Sequence, residues 1–209
     1  LRELGCDVTE LYCEPDGNFP NHHPDPVVLE NINDLRETVK RVGADIGIGY
    51  DGDADRIGVV DEGADVVWGD QLMIIFSRDL LEKKPGATII GEVKCSQTLF
   101  DDVRSHGGNP IMWKTGHSLI KGKMKESGAV LAGEMSGHIF FADRYLGYDD
   151  AIYASLRLIE ILSLKGRPYS LKALLSGVPV TVSTPEIRLD CPDDLKFKVV
   201  KGVKESFRE

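Results

Sequence analysis

Disulfide frameworks and zinc-binding cysteine clusters are the first things this sequence lacks. Its cysteines are Cys6, Cys13, Cys95 and Cys191, with no C-x-x-C pair and no histidine at zinc-ligand spacing beside them. They read as reduced thiols, which points to the cytoplasm. Positive charge is also short: 25 Lys and Arg stand against 34 Asp and Glu, a net charge of -9. A broad basic face for nucleic acid or an anionic membrane is therefore not expected, although a local cluster of Arg, Lys and helix N-termini can still receive a small anion. No apolar run approaches the ~20 residues that a membrane span needs. An initiating methionine is missing too. The chain starts at Leu1 and residues 1–4 read as the tail of a helix, so a fragment is expected and the lack of a targeting signal carries no weight. What remains, 42% hydrophobic and 28% charged over 209 residues, suffices for one large domain or two small ones.

Periodicity then orders the chain. A short strand is expected over 8–12, followed by a loop of Pro, Asn, His and Gly to residue 26. Ile32, Leu35, Val39 and Val42 keep helical spacing over 30–42, with Gly43 as the stop. An apolar strand over 45–50 runs into Asp51-Gly-Asp-Ala-Asp-Arg56, and strands over 57–60 and 66–68 flank a turn at 61–64. Helices are expected over 70–83, 96–106, 118–127 and 149–164, and strands over 88–93, 110–113, 130–134 and 138–141. Alternation at these lengths predicts α/β layers with a largely parallel sheet, whose ligands gather beyond the carboxyl ends of the strands. A strand over 184–189 and a charged helix over 193–208 are too little to close a core and read as the opening of another domain.

Three loops leave strand ends with unusual chemistry. Asp51, Asp53 and Asp55 alternate behind an apolar strand, and three converging carboxylates repel one another unless a hard divalent cation neutralises them. An EF-hand is excluded, because Arg56 stands where its loop requires glycine and both flanks read as strands. An apolar strand ending in Asp-x-Asp also fits a haloacid-dehalogenase-type phosphatase with Asp51 as nucleophile. Against it, a third aspartate is followed directly by Arg56, whose guanidinium suits a phosphoryl group beside a metal. Lys94 stands at the end of the strand over 88–93. In Lys114-Thr-Gly-His-Ser118 a glycine turn, His117 and hydroxyls precede a helix whose N-H groups can receive an anion; Ser118 as a simple cap accounts for part of that pattern. Glu134 and Ser136, in Gly133-Glu-Met-Ser-Gly-His138, form the kind of pair that holds adjacent sugar hydroxyls, with His138 as acid, base or phosphate contact. Asp149 reads as the cap of the helix that follows, and Met73, Ile74, Phe76 and Leu80 as helix core.

Together these residues resemble the α-D-phosphohexomutase family, specifically its phosphomannomutase/phosphoglucomutase branch, along nearly the whole chain. The resemblance implies phosphoglucomutase-like domains of layered mixed sheets with helices. It divides the chain into the end of a second domain (1–64), a whole third domain (65–177) and the start of a fourth (178–209). It carries Asp51, Asp53 and Asp55 over as magnesium ligands, Arg56 as a phosphate contact, Glu134 and Ser136 as sugar readers, and Lys94, His117 and His138 as residues near the reacting centre. The implied partners are mannose and glucose 1- and 6-phosphates and their bisphosphate intermediate. The implied reaction passes phosphate through an enzyme phosphoserine, and no serine here lies in the family's nucleophile motif. Met135 before Ser-Gly-His favours this branch over the glucosamine-phosphate mutases. Outside the family, the phosphatase and a non-enzymatic sugar-phosphate or metal-binding module remain the other classes.

Overall fold

The computed structural model describes residues 1–165, 168–182 and 189–207. It divides into two compact units, Leu1–Pro179 and Val180–Glu209.

The first unit opens with a short 3-10 turn at Arg2–Leu4 and a long irregular stretch. The strand expected over 8–12 does not form: Tyr12 adopts φ 54°, which breaks an extended run, and its hydroxyl reaches Asp34 instead. A turn at Leu29–Ile32 leads into α1 (Asn33–Val42), which Gly43 closes in the left-handed conformation, its N-H donating to the Val39 carbonyl. Ile32 and Val39 are buried as their spacing predicts, whereas Val42 lies exposed. β1 (Ile46–Tyr50), β2 (Ile57–Asp61) and β3 (Val66–Val67) form an antiparallel sheet in that order. Alternation along β2 sends Val60 toward α1, and Ile57 and Val59 into the main core.

α2 (Gly69–Lys83), β4 (Thr88–Glu92), α3 (Gln97–Ser105), β5 (Asn109–Trp113), α4 (His117–Ser127), β6 (Leu131–Gly133), β7 (Ile139–Phe141), α5 (Ala151–Lys165) and the short α6 (Leu171–Leu174) follow. The second sheet runs β5-β4-β6-β7. β4 pairs in parallel with β5 and with β6, while β6 and β7 are antiparallel. A largely parallel sheet is therefore only half of the outcome. Parallel neighbours need a crossover of about a dozen residues or more, and the connections at 51–56, 61–65 and 134–138 are too short to give anything but antiparallel pairs. Ile89 and Leu131 face the core that contains α2, α3 and α5, while Ile90 and Ala132 face Ile120 and Met124 of α4. The sheet thus lies between helical layers, and Met73, Ile74, Phe76 and Leu80 of α2 are fully buried beneath it.

Two cap expectations fail. α5 starts at Ala151, and Asp150, not Asp149, accepts the Tyr153 N-H at 2.8 Å. Asp149 turns to Lys121 at 2.9 Å, because its backbone is engaged in a bridge with Phe140 ahead of the helix. α4 starts one residue before Ser118, with Gly116 at its N-cap. The second unit contributes α7 (Lys196–Ser206), which buries none of its residues. The strand expected over 184–189 lies outside the described residues except for Leu189. All four cysteines are free thiols.

Candidate functional site

The acidic loop is the tip of the β1–β2 hairpin. Asp51, the first residue after β1, is 8% exposed and already well supplied with donors. Its Oδ1 accepts the N-H groups of Asp55 (3.1 Å) and Arg56 (3.0 Å), and its Oδ2 accepts Nε of Arg56 at 2.7 Å. Burial alone would raise the Asp51 carboxyl, but the Arg56 N-H and guanidinium outweigh it and hold it below its usual range. Asp55 goes the other way, raised first by burial and then by Asp51 and Asp53. Oxygen atoms of Asp51, Asp53 and Asp55 lie within 4.8 Å of one another, and Asp53 is exposed. Ala54, at φ 58°, curls the chain between them, and its carbonyl accepts the first N-H of α5 at 3.0 Å. Three carboxylates around one point, with one guanidinium among them, fit a hard divalent cation: the donor set is all oxygen and the charge is not balanced by protein alone. Arg56 is further held by Asp25 at 3.1 Å, a partner in the Pro-rich loop that sequence reasoning passed over.

Glu134–Ser136–His138 is the tip of the second hairpin, between β6 and β7. Glu134 is 4% exposed. Its Oε1 accepts the Gly116 N-H at 2.8 Å, so the start of α4, read as a possible anion cradle, receives an internal carboxylate. Its Oε2 lies 3.0 Å from the Ser136 hydroxyl and 3.0 Å from Nδ1 of His138. Burial lowers the His138 imidazole, but the bond to Glu134 and the charges of Asp55 and Glu134 prevail and raise it above its ordinary value. Glu134 is correspondingly lowered: burial opposes, and His138 and the Gly116 N-H prevail.

The two hairpins meet. His138 pairs with Arg56 in an isolated β-bridge, and Ile57 donates its N-H to the Gly137 carbonyl at 3.1 Å. Nε2 of His138 stands 3.3 Å from Asp55. His117, at the exposed start of α4, places its ring 6.5 Å from that of His138 at an interplanar angle of 24°. Of the residues singled out by sequence, Asp51, Asp53, Asp55, Arg56, His117, Glu134, Ser136 and His138 thus form one contiguous group. Lys94 sits on the exposed turn after β4, outside that group, and its backbone N-H donates to Glu92 at 2.8 Å. Sequence reasoning missed Glu92 and Asp25 and misread Asp149. Only a buried strand-end carboxylate distinguishes Glu92 in the sequence, and that needs the sheet to be seen.

The fold and site define a class of layered α/β proteins whose motif loops sit at strand ends. Within that class the chain belongs to the phosphoglucomutase/phosphomannomutase family. Residues 1–64 match its α/β/α domain II and residues 68–179 its α/β/α domain III. It is 51% identical to a phosphomannomutase/phosphoglucomutase of Pseudomonas syringae pv. tomato over 98% of this chain and 44% of that protein. It is 48% identical to a phosphoglucomutase of Neisseria gonorrhoeae over 91% of this chain and 41% of that one. A crystal structure of a family protein from Burkholderia thailandensis superposes with a TM-score of 0.83 at 50% identity, over 88% of this chain and 40% of that one. The chain therefore spans less than half the length of the relatives it matches. A dehalogenase-type phosphatase with Asp51 as nucleophile is not favoured, because these relatives are phosphomannomutases and phosphoglucomutases.

Proposed function

We propose that this chain works within a magnesium-dependent phosphomannomutase/phosphoglucomutase that moves phosphate between the 1- and 6-positions of hexose phosphates. The carrying observation is the meeting of the two hairpin tips, His138 Nε2 lying 3.3 Å from Asp55, in a chain about half identical to enzymes of that name. Asp51, Asp53 and Asp55 are the residues to hold magnesium, which when bound neutralises charge near the transferred group. Arg56, clamped by Asp25 and Asp51, presents a fixed guanidinium to a phosphoryl oxygen. Glu134 and Ser136 read adjacent sugar hydroxyls, and Lys94 and His117 contact substrate from the neighbouring loops. His138, oriented by Glu134 through Nδ1, keeps Nε2 toward the reacting centre to take or return a hydroxyl proton. The phosphoserine that stores the phosphoryl group between half-reactions belongs to the parent protein outside these residues.

On this reading 1–64 closes the second domain, 65–177 is the third and 178–209 opens the fourth, and the protein works in the cytoplasm. The test is a mutase assay of the full-length parent with mannose, glucose and glucosamine phosphates, together with the chemistry of its phosphoenzyme. The expected result is turnover of mannose and glucose phosphates and an acid-stable phosphoserine. A base-labile aspartyl phosphate on Asp51 rejects the mutase, and preference for glucosamine phosphate moves the chain to that branch.

A further inference from the structure

Most buried carboxylates of this fold lie beside a cation: Asp61 by Lys172, Asp79 by Lys83, Asp143 by Lys84. Glu92 is 0% exposed and forms no ion pair among the described residues. A fully buried carboxylate without a counter-ion persists only where hydrogen-bond donors replace its water. Its donors come from three loops. Oε2 accepts the Lys94 N-H at 2.8 Å and the Thr115 hydroxyl at 2.6 Å, and Oε1 accepts the Met135 N-H at 3.3 Å.

Topology explains how one side chain reaches all three. Glu92 is the last residue of β4, which lies between β5 and β6 in parallel, with Glu92 opposite Trp113 and Gly91 opposite Gly133. Three chains therefore leave the sheet side by side around its carboxylate. Asp70, the other buried carboxylate without a cation among the described residues, accepts there the N-H groups of Ser96 and of its own neighbour Gln71, and so holds a single loop. The loops tied by Glu92 are those that carry Lys94, His117, and Glu134 with Ser136.

We infer that Glu92 is a positioning residue that sets the three substrate-reading loops in register with one another, without touching substrate itself. The inference rests on the proposed mutase site. Among the described residues the Asp51–Arg56 hairpin draws on its own donors and has no hydrogen bond to Glu92, so a change at Glu92 reaches it only indirectly, through the 134–138 loop.

The test uses the full-length parent with Glu92→Gln, Thr115→Val and, as a reference within the site, Ser136→Ala. Glu92→Gln keeps the size but turns one acceptor into a donor facing donors, so its KM for glucose 1-phosphate should rise by about tenfold, with a smaller fall in kcat. Half-saturation by magnesium, felt only through the contact of Gly137 and His138 with the acidic hairpin, should change far less than KM. Hydrogen exchange should quicken together in 93–96, 113–118 and 133–138. Thr115→Val removes one link at an exposed residue and should raise KM in the same direction by about threefold; it decides the matter if Glu92→Gln does not fold. An unchanged KM in Glu92→Gln and Thr115→Val beside a raised KM in Ser136→Ala overturns the positioning role and keeps the site. An unchanged KM in all three removes the site reading and this inference with it. A fall in thermal stability with KM and magnesium affinity drifting together reduces Glu92 to a residue of the fold and also overturns it.

Discussion

Asp51 and Asp55 of the acidic hairpin sit in opposite electrostatic surroundings. Asp51 takes three donors from its own loop, whereas burial and the neighbouring charges of Asp51 and Asp53 raise Asp55. Of the three carboxylates proposed to hold magnesium, Asp53 is the one that can be changed with least harm to the fold, being exposed. Asp53→Asn in the full-length parent should abolish most mutase activity while circular dichroism stays unaltered. Full activity of that variant in excess chelator would remove the metal assignment. Ser136 and Glu134 differ in the same way. Ser136→Ala deletes a half-buried hydroxyl worth about 1 kcal/mol and should raise KM for both sugar phosphates by roughly fivefold. Glu134→Ala also strands the Gly116 N-H, Ser136 and His138 in a buried place, so it should lower the melting temperature as well as turnover. Kinetics that distinguish neither variant from wild type would put this hairpin outside the cleft.

At the scale of elements, the site is two hairpin tips pressed together, and Gly137 is where they touch most closely. Its φ is 95°, and a Cβ built there would lie 2.4 Å from the Ile57 carbonyl oxygen. Backbone cannot yield as a flexible side chain does, so Gly137→Ala should cost about 2 kcal/mol or more in urea unfolding and carry His138 away from Asp55. A stability within 0.5 kcal/mol of wild type, on the order of a neutral surface change, would contradict that packing. α5 is fixed to the same scaffold by charge. Asp143, just after β7, meets Lys84 at 2.6 Å and the buried Arg157 of α5 at 3.4 Å. Burial would raise its carboxyl, but Lys84, Arg157 and Arg144 prevail and lower it. A folded-state value below the unfolded one stabilises above the unfolded value, about 4, and that contribution fades as pH falls through the folded value. Asp143→Asn should therefore be less stable by about 2 kcal/mol at pH 7 and should converge with wild type toward pH 2 to 3. Equal gaps at both pH values would reject the ion pair as the cause.

For the whole molecule, the 209-residue chain carries the residues proposed as metal ligands and sugar readers and spans less than half the length of the relatives it matches. α7 is amphipathic yet buries nothing, and Phe197, Val200 and Phe207 lie open to solvent. Purified alone with magnesium and a sugar bisphosphate, the chain should show no mutase turnover, because it has no serine in the nucleophile motif to store the phosphoryl group. Multiple turnovers that survive Asp51→Ala would overturn the mutase reading.

Sequence alone determined the succession of elements from α1 to α5, because hydrophobic period and Gly or Pro punctuation are local signals. It also located three loops with site chemistry, since carboxylate spacing after an apolar strand is legible without a fold. Short connections between strands already implied hairpins at 51–56 and 134–138, and counting them would have corrected the expectation of a largely parallel sheet. The strand over 8–12 misled because propensity does not report whether a partner strand exists, and Tyr12 turns left-handed where none does. Asp149 and Ser118 misled because a cap depends on where the first helical turn begins, which differs by one or two residues from the periodic pattern. Only the tertiary structure decided that the two hairpin tips pair through Arg56 and His138, and that Asp25 reaches Arg56 from 31 residues away. It alone placed Glu92 among three loops, because sheet order brings β5 and β6 to either side of β4, and no local pattern encodes which strands become neighbours.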